Sequence, residues 1–228
     1  MKTGMVYWGD RPALWSVAEQ KILAEEEFDY QKELIDCMIM KLPIKHFGKK
    51  ADNIKKLYPD AKVLVFANEP WQAVAMKGVS LNENIIYTLA KWRNEYVILS
   101  SKRVGELMMR TGSKFKKLLT FTGDALDEMV LEHPVRELKT EVPVLIDNSV
   151  TSDFGTGINA IIPGHDIDSL QLAFHYGIPT MGHVDLNGKF TSDLGDFYAG
   201  LDALIPETNK YVASMFEQEG YLFCQFPY

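Results

Sequence analysis

The strongest constraint on the fold is a series of short runs of β-branched and aliphatic residues, each bounded by polar or turn residues. Residues 62–66 (KVLVF) and 142–146 (VPVLI) have the pattern of buried strands. Further strands are predicted at residues 35–44, 84–89, 95–99 and 157–162, and helices at residues 49–58, 102–109, 168–176 and 208–220. The helices are inserted between strands rather than alternating strictly with them. This order argues against a doubly wound parallel sheet and predicts an α+β, β-rich fold, a barrel or curled sheet decorated with helices.

Three local signals refine this prediction. Pro43 is expected to close the strand at residues 35–44, and residues 16–27 are expected to form a short acidic helix or turn. The strands at 84–89 and 95–99 are expected to form a hairpin.

The charge balance bears on nucleic-acid binding. The 228 residues include 31 acidic and 24 basic side chains, for a net charge of −7. Tight sequence-independent binding needs a net basic face, so DNA is not an expected partner. Residues 46–56 and 102–117 are locally basic. A solvated charged face is the favoured interpretation of both strips.

Cysteine content and hydropathy bear on compartment and cofactors. Cys37 and Cys224 are too few and too far apart for a disulfide framework or a zinc motif, which indicates a reduced, intracellular compartment, cytoplasmic or organellar. No apolar run approaches the ~20 residues of a membrane span, and no membrane association or targeting segment is expected. His175 and His183 look isolated, so neither a metal nor another cofactor is expected.

Several segments resemble, in order, the inserted editing domain of isoleucyl-tRNA synthetases. Residues 11–30 are similar to that family's "KPV-x-WS … ALAEAE-x-EY" segment, and residues 63–76 (VLVFANEPWQAVAM) to its "LIWTTTPWTLPAN" segment. Residues 132–134 match "EHP", residues 155–165 resemble "GTGLVHTAPGH", and residues 184–191 resemble "VDDNGKFT". The shared order is more specific than any one motif.

The resemblance implies a division of the chain and a fold. Residues 1–30 would be a segment that links to the body of a synthetase, and residues 31–228 would be the editing domain. The fold would be the barrel-like editing fold of the valyl-, leucyl- and isoleucyl-tRNA synthetases. The Pro70–Trp71 pair and Gly164 favour the isoleucine type.

The resemblance also implies an activity. The domain would bind the 3′ end of a charged tRNA(Ile) and hydrolyse a wrongly attached amino acid, chiefly valine, by attack of an oriented water. Its other partner would be the catalytic body of the synthetase. Such a second sieve is needed because one methylene supplies only about 1–3 kcal/mol of discrimination in a hydrophobic pocket. The sequence contains no nucleotide-binding signature of its own.

The polar groups of the family's pocket are altered in this chain. The family's threonines fall on positions occupied by Ala67, Asn68, Glu69 and Gln72. Its histidine falls on Ala160, and the aspartate that binds the substrate amino group falls on Ser169.

Two interpretations follow, and the sequence leaves both open. In the first the site is rewired, with Asp168 gripping the ammonium group, helped by Asp166 or Glu69, and Asn68 orienting the water. In the second, hydrolysis is lost and the homologue acts as a structural or RNA-associated subunit of a larger assembly. Asp166 and Asp168 are also candidates for capping the following helix.

The first interpretation assigns catalytic roles to Asp168, Asn68 and His165. It assigns substrate binding to Glu69, Pro70, Trp71, Gly155, Thr156, Gly157 and Ser169.

Overall fold

A computed structural model describes residues 11–227; the first ten residues of the predicted linking segment and Tyr228 lie outside the described residues. The strands are β1 (Trp15–Ser16), β2 (Lys21–Ile22), β3 (Asp36–His46), β4 (Lys62–Ala67), β5 (Gly78–Leu81), β6 (Ile86–Trp92), β7 (Glu95–Ser100), β8 (Phe115–Thr122), β9 (Val130–Glu132), β10 (Glu141–Ile146), β11 (Ile158–Ile161) and β12 (Leu222–Pro227).

The helices are α1 (Asp52–Leu57), α2 (Pro70–Ala75), α3 (Val104–Thr111), α4 (Ile167–Tyr176) and α5 (Pro206–Gln218). Helices were predicted from the sequence at all of these places except α2, and the boundaries agree to within a few residues. Within residues 11–227, none of the helices has the length and apolarity needed to cross a membrane.

Six strands close into a barrel. The ring runs β3–β9–β10–β5–β11–β4 and returns to β3. The β10–β5 and β11–β4 pairs are parallel, and the other four pairs of the ring are antiparallel. The predicted β-rich α+β barrel with inserted helices is therefore confirmed.

Two extensions leave this ring. The strands β7, β6 and β8 continue the sheet from β4, and β12 pairs with the first half of β3. The predicted hairpin of residues 84–99 is the β6–β7 pair, whose turn residue Arg93 has a φ of 52°.

The barrel strands β3 and β4 are buried on both faces, which explains why their sequences are continuously apolar rather than alternating. Met38 and Val65 contribute to the main core inside the barrel. Ile39 and Leu64, one position away from these, belong to a second core beneath α3. Because alternate side chains of a strand point to opposite faces, each strand supplies both cores.

The prediction that Pro43 closes its strand is wrong, because β3 continues to His46. The backbone N–H of Lys41 donates to the carbonyl of Tyr221 on the β12 side, and the nitrogen of Pro43, two residues on, faces the same side. On that side β12 pairs as far as Met40 and β9 begins at Ile44. Pro43 lies between the two partners, where its missing N–H breaks no ladder hydrogen bond.

Residues 16–27 were expected to form a short acidic helix or turn, and the structure has a turn rather than a helix at residues 17–20. The segment forms the β1–β2 hairpin, and only Glu25–Glu27 make a single 3₁₀ turn. The indole nitrogen of Trp15 donates to the carbonyl of Leu186 over 2.8 Å, so a contact distant in sequence fixes this segment.

Candidate functional site

One cleft collects polar side chains from several elements of the barrel. Asn68 follows β4, Ser80 lies in β5, and further lining residues come from the loop after β10 and the first turn of α4. The cleft has a volume of about 320 Å³. Its lining residues are Asn68, Ser80, Asp147, Ser149, Val150, Thr151, Phe154, Asn159, Ala160, Ile161, Asp166, Asp168, Ser169 and Leu172.

The first turn of α4 uses two of these residues for its own structure. Asp166 is the N-cap, and its Oδ1 accepts a hydrogen bond from the backbone N–H of Ser169 over 2.7 Å. The hydroxyl of Ser169 in turn accepts from the backbone N–H of Ile162 over 3.1 Å. Asp166 therefore has the capping role that the sequence left open. Ser169, at the position of the family's amino-group-binding aspartate, is tied to the backbone.

Asp168 differs from these neighbours. It lies exposed in the first turn of α4, and its carboxylate has no hydrogen-bond or ion-pair partner within residues 11–227. The backbone N–H groups at the adjacent helix N-terminus carry partial positive charge, which attracts a carboxylate. A free carboxylate in the cleft is suited to pairing with an ammonium group.

A second carboxylate, Asp147, was missed by the sequence analysis. It follows β10 directly, and its Oδ1 accepts from the backbone N–H of Ser149 over 2.9 Å. Asp147 and Asp168 line both this cleft and a neighbouring groove that includes Gln171 and His175. The available signal was the polar residue that ends the buried run VPVLI, since side chains at strand ends often line sites.

Two carboxamides complete the hydrogen-bonding groups of the cleft. The backbone N–H of Asn68 donates to Oε1 of Gln72 over 3.2 Å, and its side chain is exposed. The Oδ1 of Asn159 is buried without a hydrogen-bond partner within the described residues. A buried oxygen without a partner is costly unless a ligand or a water donates to it.

The predicted residues Glu69, Pro70 and Trp71 do not line this cleft. Pro70 begins α2, and Trp71 is buried with its ring against His165, the centroids 4.7 Å apart. The Oε2 of Glu69 accepts from the side-chain nitrogen of Asn209 over 3.1 Å. The predicted contacts of these three residues with substrate stay predictions.

His165 packs against Trp71 and does not line the cleft. Together with Gly164 it lines a groove beneath the β1–β2 hairpin. Burial lowers the pKa of its imidazole, which favours the neutral form. The structure therefore brings Asp168 and Asn68 together and places His165 elsewhere, and the catalytic role of His165 stays a prediction.

The residues Gly155, Thr156 and Gly157 shape the loop that leads into β11. Thr156 is fully buried, and its hydroxyl lies 2.7 Å from the carbonyl of Leu64, to which it donates. The carbonyl of Gly157 accepts from the hydroxyl of Tyr87 over 2.7 Å. These contacts are structural, and the proposed binding of substrate by the three residues stays a prediction.

His183 is not isolated, contrary to the expectation from sequence. Its Nδ1 lies 2.7 Å from Oδ2 of Asp193, although the two are not aligned as a hydrogen bond, and its Nε2 contacts Nζ of Lys77. Burial and the nearby lysine lower the pKa of His183. Within residues 11–227 no group of three or more histidine, cysteine or carboxylate side chains is arranged to hold a metal ion.

Comparison with known proteins places this arrangement in a wider group. No family model matches the chain. The isoleucine–tRNA ligase of Cyanothece sp. is 30% identical over 221 residues, which cover 96% of this chain and 23% of that protein. The corresponding ligase of Acaryochloris marina is 30% identical over 233 residues, covering 99% of this chain and 24% of that protein. The chain thus spans about a quarter of the length of these relatives.

The fold has a solved counterpart. The crystal structure of GlLeuRS-CP1 matches with a TM-score of 0.62 and 12% identity, covering 85% of this chain and 98% of that one. At this identity the match shows the fold alone. The chain therefore has the barrel fold of the CP1 editing domains of class I aminoacyl-tRNA synthetases, and its sequence is similar to about a quarter of the length of isoleucine–tRNA ligases.

Proposed function

We propose that the cleft binds the 3′ end of mischarged tRNA(Ile) and hydrolyses the ester that links it to valine. Water adds to the ester carbonyl, the bond from the acyl carbon to the ribose oxygen breaks, and free valine and tRNA are released. The observation that carries this proposal is the presence of two free or partly free carboxylates, Asp147 and Asp168, in one cleft with Asn68.

Asp168 is assigned to the α-ammonium group of the mischarged amino acid. Its carboxylate is exposed and has no protein partner within the described range. Pairing with a cation therefore displaces only water and breaks no contact within the protein. A charge-assisted hydrogen bond of this kind fixes the amino acid and thereby its ester carbonyl. Asp166 is already engaged as the cap of α4, so it is the weaker candidate.

Asn68 and Asp147 are assigned to the attacking water. The Asn68 carboxamide is exposed in the cleft and can both donate to and accept from a water molecule. The Oδ2 of Asp147 remains available after Oδ1 accepts from Ser149, and we assign to it the proton that the water loses. Asn159 and the hydroxyls of Ser149 and Thr151 offer further hydrogen bonds to the ribose and the developing oxyanion.

The wider setting of the proposal is the parent synthetase. Its catalytic body would attach the amino acid, and this domain would remove it where it is wrong, in a reduced intracellular compartment. The residues assigned above act through hydrogen bonds and charge alone, without a cofactor.

A second candidate function has specific support. Ala160 supplies no imidazole to the cleft, and the hydroxyl of Ser169 is committed to the backbone N–H of Ile162. Both observations favour a domain that has lost hydrolysis and acts as a structural or RNA-associated part of a larger assembly.

The test is deacylation of valyl-tRNA(Ile) and isoleucyl-tRNA(Ile) by the chain, with Asp168→Asn, Asp147→Asn and Asn68→Ala variants. Asp60→Asn, an exposed turn residue that does not line the cleft, is the matched control. Valine release that spares isoleucine and falls at least 10-fold in the Asp168→Asn and Asp147→Asn variants is the expected result.

A chain that does not hydrolyse valyl-tRNA(Ile) would be examined with a further variant. If the chain releases no valine, the double variant Ala160→His/Ser169→Asp restores the family's groups. Activity that appears only in the double variant would support the structural or RNA-associated role and would contradict the proposed hydrolysis.

A further inference from the structure

The sheet ends in an edge strand that is densely basic. β8 is the last strand of the sheet, and its outer side has no partner strand within the described part of the chain. Lysines lie in β8, just before it, in β6, and just before α3, and all of them are exposed. We call this surface the basic edge; it consists of Lys91, Lys102, Lys114, Lys116 and Lys117.

Most charges of the basic edge have no neutralising partner within the described residues; Lys102 is the exception, because its charge helps to lower the pKa of Asp153. Lys91 and Lys116 are directly opposite each other in the antiparallel β6–β8 pair. Like charges in this position destabilise a sheet. No member of the basic edge forms an ion pair with a carboxylate within residues 11–227, whereas Lys41 and Lys62 both pair with Glu95. In a chain with a net charge of −7, this is a local concentration of free positive charge.

The basic edge is joined to the cleft by direct contacts. The Nζ of Lys117 donates to the carbonyl of Ser101 over 3.2 Å. Two residues on, Arg103 donates from Nε to the carbonyl of Gly155 over 2.8 Å and from Nη1 to the carbonyl of Asp153 over 2.7 Å. These bonds hold the loop after β10, which lines the cleft. The basic edge is therefore linked, at Lys117, to the loop that lines the cleft.

We propose that the basic edge binds the phosphate backbone of the RNA whose 3′ end occupies the cleft. This inference rests on the proposed function, because that function places an RNA end in the cleft. The proposal is supported by charge complementarity. RNA is a polyanion, and a phosphate bound between Lys91 and Lys116 would relieve the repulsion between these two lysines. Lysine ammonium groups bind phosphates as point charges without reading sequence.

The lysines have a competing structural explanation. Charged side chains on an edge strand discourage pairing with the edge of another molecule. On that explanation, removing the charges would promote self-association and leave RNA binding unchanged. The two explanations therefore predict different outcomes for the same variant.

The experiment measures binding of an uncharged RNA stem-loop with a single-stranded 3′ end to the full chain, by fluorescence anisotropy between 50 and 200 mM salt. The test variant is Lys91→Gln/Lys116→Gln. The matched control is Lys189→Gln/Lys210→Gln, which removes the same charge from exposed lysines that form no ion pair within the described residues. Loss of two phosphate contacts is expected to weaken binding roughly 60-fold at 0.1 M salt and to lower the salt slope by about 1.8. The control is expected to change the affinity by less than about 3-fold and to leave the salt slope unchanged.

Equal affinity and equal salt slope in the test variant and the control would overturn the proposal. So would self-association of the test variant, detected by sedimentation, with unchanged affinity for RNA. Lys102→Gln/Lys117→Gln is a second variant that guards against misfolding of the first, and it carries the same expectation.

The outcome is separable from that of the proposed function. The binding assay uses uncharged RNA, so it gives the same answer whether or not the cleft hydrolyses esters. Conversely, hydrolysis of valyl-adenosine, which is too short to reach the basic edge, reports on the cleft alone. That activity is expected to be unchanged in the Lys91→Gln/Lys116→Gln variant.

Discussion

The side-chain oxygen of Asn209 accepts a hydrogen bond from the backbone N–H of Trp71 over 3.0 Å, which ties α5 to the first turn of α2. The N-cap residue of α2, Glu69, makes no side-chain capping bond of its own. Asn209 therefore supplies from another helix the acceptor that the N-terminus of α2 lacks. It also donates to the Glu69 carboxylate, and so it steadies the segment that carries Asn68 into the cleft.

Replacing Asn209 by alanine is expected to lower the free energy of unfolding by about 1–2 kcal/mol, because it leaves the Trp71 N–H and the Glu69 carboxylate without this partner. Denaturant unfolding followed by circular dichroism measures the change. The Asn209→Asp variant keeps the acceptor for Trp71 but places a carboxylate against Glu69. A Glu69→Gln change should restore stability to Asn209→Asp. Absence of that rescue would show that the contact with Glu69 contributes little.

Gly155 and Gly112 form a matched pair for testing the loop that leads into β11. Both have positive φ, +55° and +62°. A Cβ on Gly155 would lie 2.6 Å from Cγ of Phe66, whereas a Cβ on Gly112 would meet nothing within 4 Å. Gly112→Ala should therefore cost only the backbone strain, about 1 kcal/mol. Gly155→Ala should cost about 2–4 kcal/mol, since Phe66 must also move. Thermal unfolding of both variants measures the difference, and equal losses would contradict it.

The buried imidazole of His133 is expected to make stability depend on pH. Burial lowers its pKa from 6.5 to about 4 in the folded protein. The folded state thus binds the proton less readily than the unfolded state does. The stabilising contribution is fully present above pH 6.5 and is lost as the pH falls from there through about 4. The loss amounts to about 3 kcal/mol.

Urea unfolding between pH 7.5 and pH 4 checks this prediction, with His133→Asn as the comparison. Asparagine does not titrate, so the variant should be less stable at pH 7.5 but should lose less stability on acidification. The lowered pKa values of His165 and His183 remain in both proteins, and the difference therefore isolates His133. Parallel curves for the two proteins would refute the assignment.

The hydroxyl of Tyr87 is expected to contribute more to the free energy of unfolding than the hydroxyl of Tyr96. Tyr87 is fully buried, donates to the carbonyl of Gly157 over 2.7 Å, and accepts from the backbone N–H of Asn82 over 3.3 Å. Tyr87→Phe should cost about 1–3 kcal/mol, because it strands a buried carbonyl. Tyr96→Phe, in β7, removes a hydroxyl with no hydrogen bond within the described residues and should cost less than about 0.5 kcal/mol. Equal costs would show that the Gly157 carbonyl finds another partner.

Local sequence was enough to identify most elements of the fold. Residues 62–66 and 142–146 are strands because their runs of valine, leucine and isoleucine have β propensity and are bounded by polar residues. The helix α4 ends at Gly177, which adopts the left-handed conformation that glycine favours, and this stop was predicted. The resemblance to the isoleucyl-tRNA synthetase editing domain supplied the barrel architecture, which periodicity alone could not name.

Other elements were set by contacts that a local pattern does not contain. The residues of β8 were interpreted as part of a basic strip, because its lysines obscure the pattern of a strand. The strand β5 is too short to show a hydrophobic period. Pro43 lies inside β3 only because the pairing of β3 passes from β12 to β9 at that point.

The sequence by itself determined four of the barrel's six strands, all of the helices but α2, the polar changes at Asn68, Ala160 and Ser169, and the candidacy of Asp168. Only the tertiary structure decided which polar groups share a cleft. It brought Asp147 beside Asp168, placed His165 behind Trp71, and committed Asp166 and Ser169 to the backbone of α4. The physical reason is that propensity and hydrophobic period act over a few residues. A site depends instead on which loop ends the closure of the barrel carries to the same place.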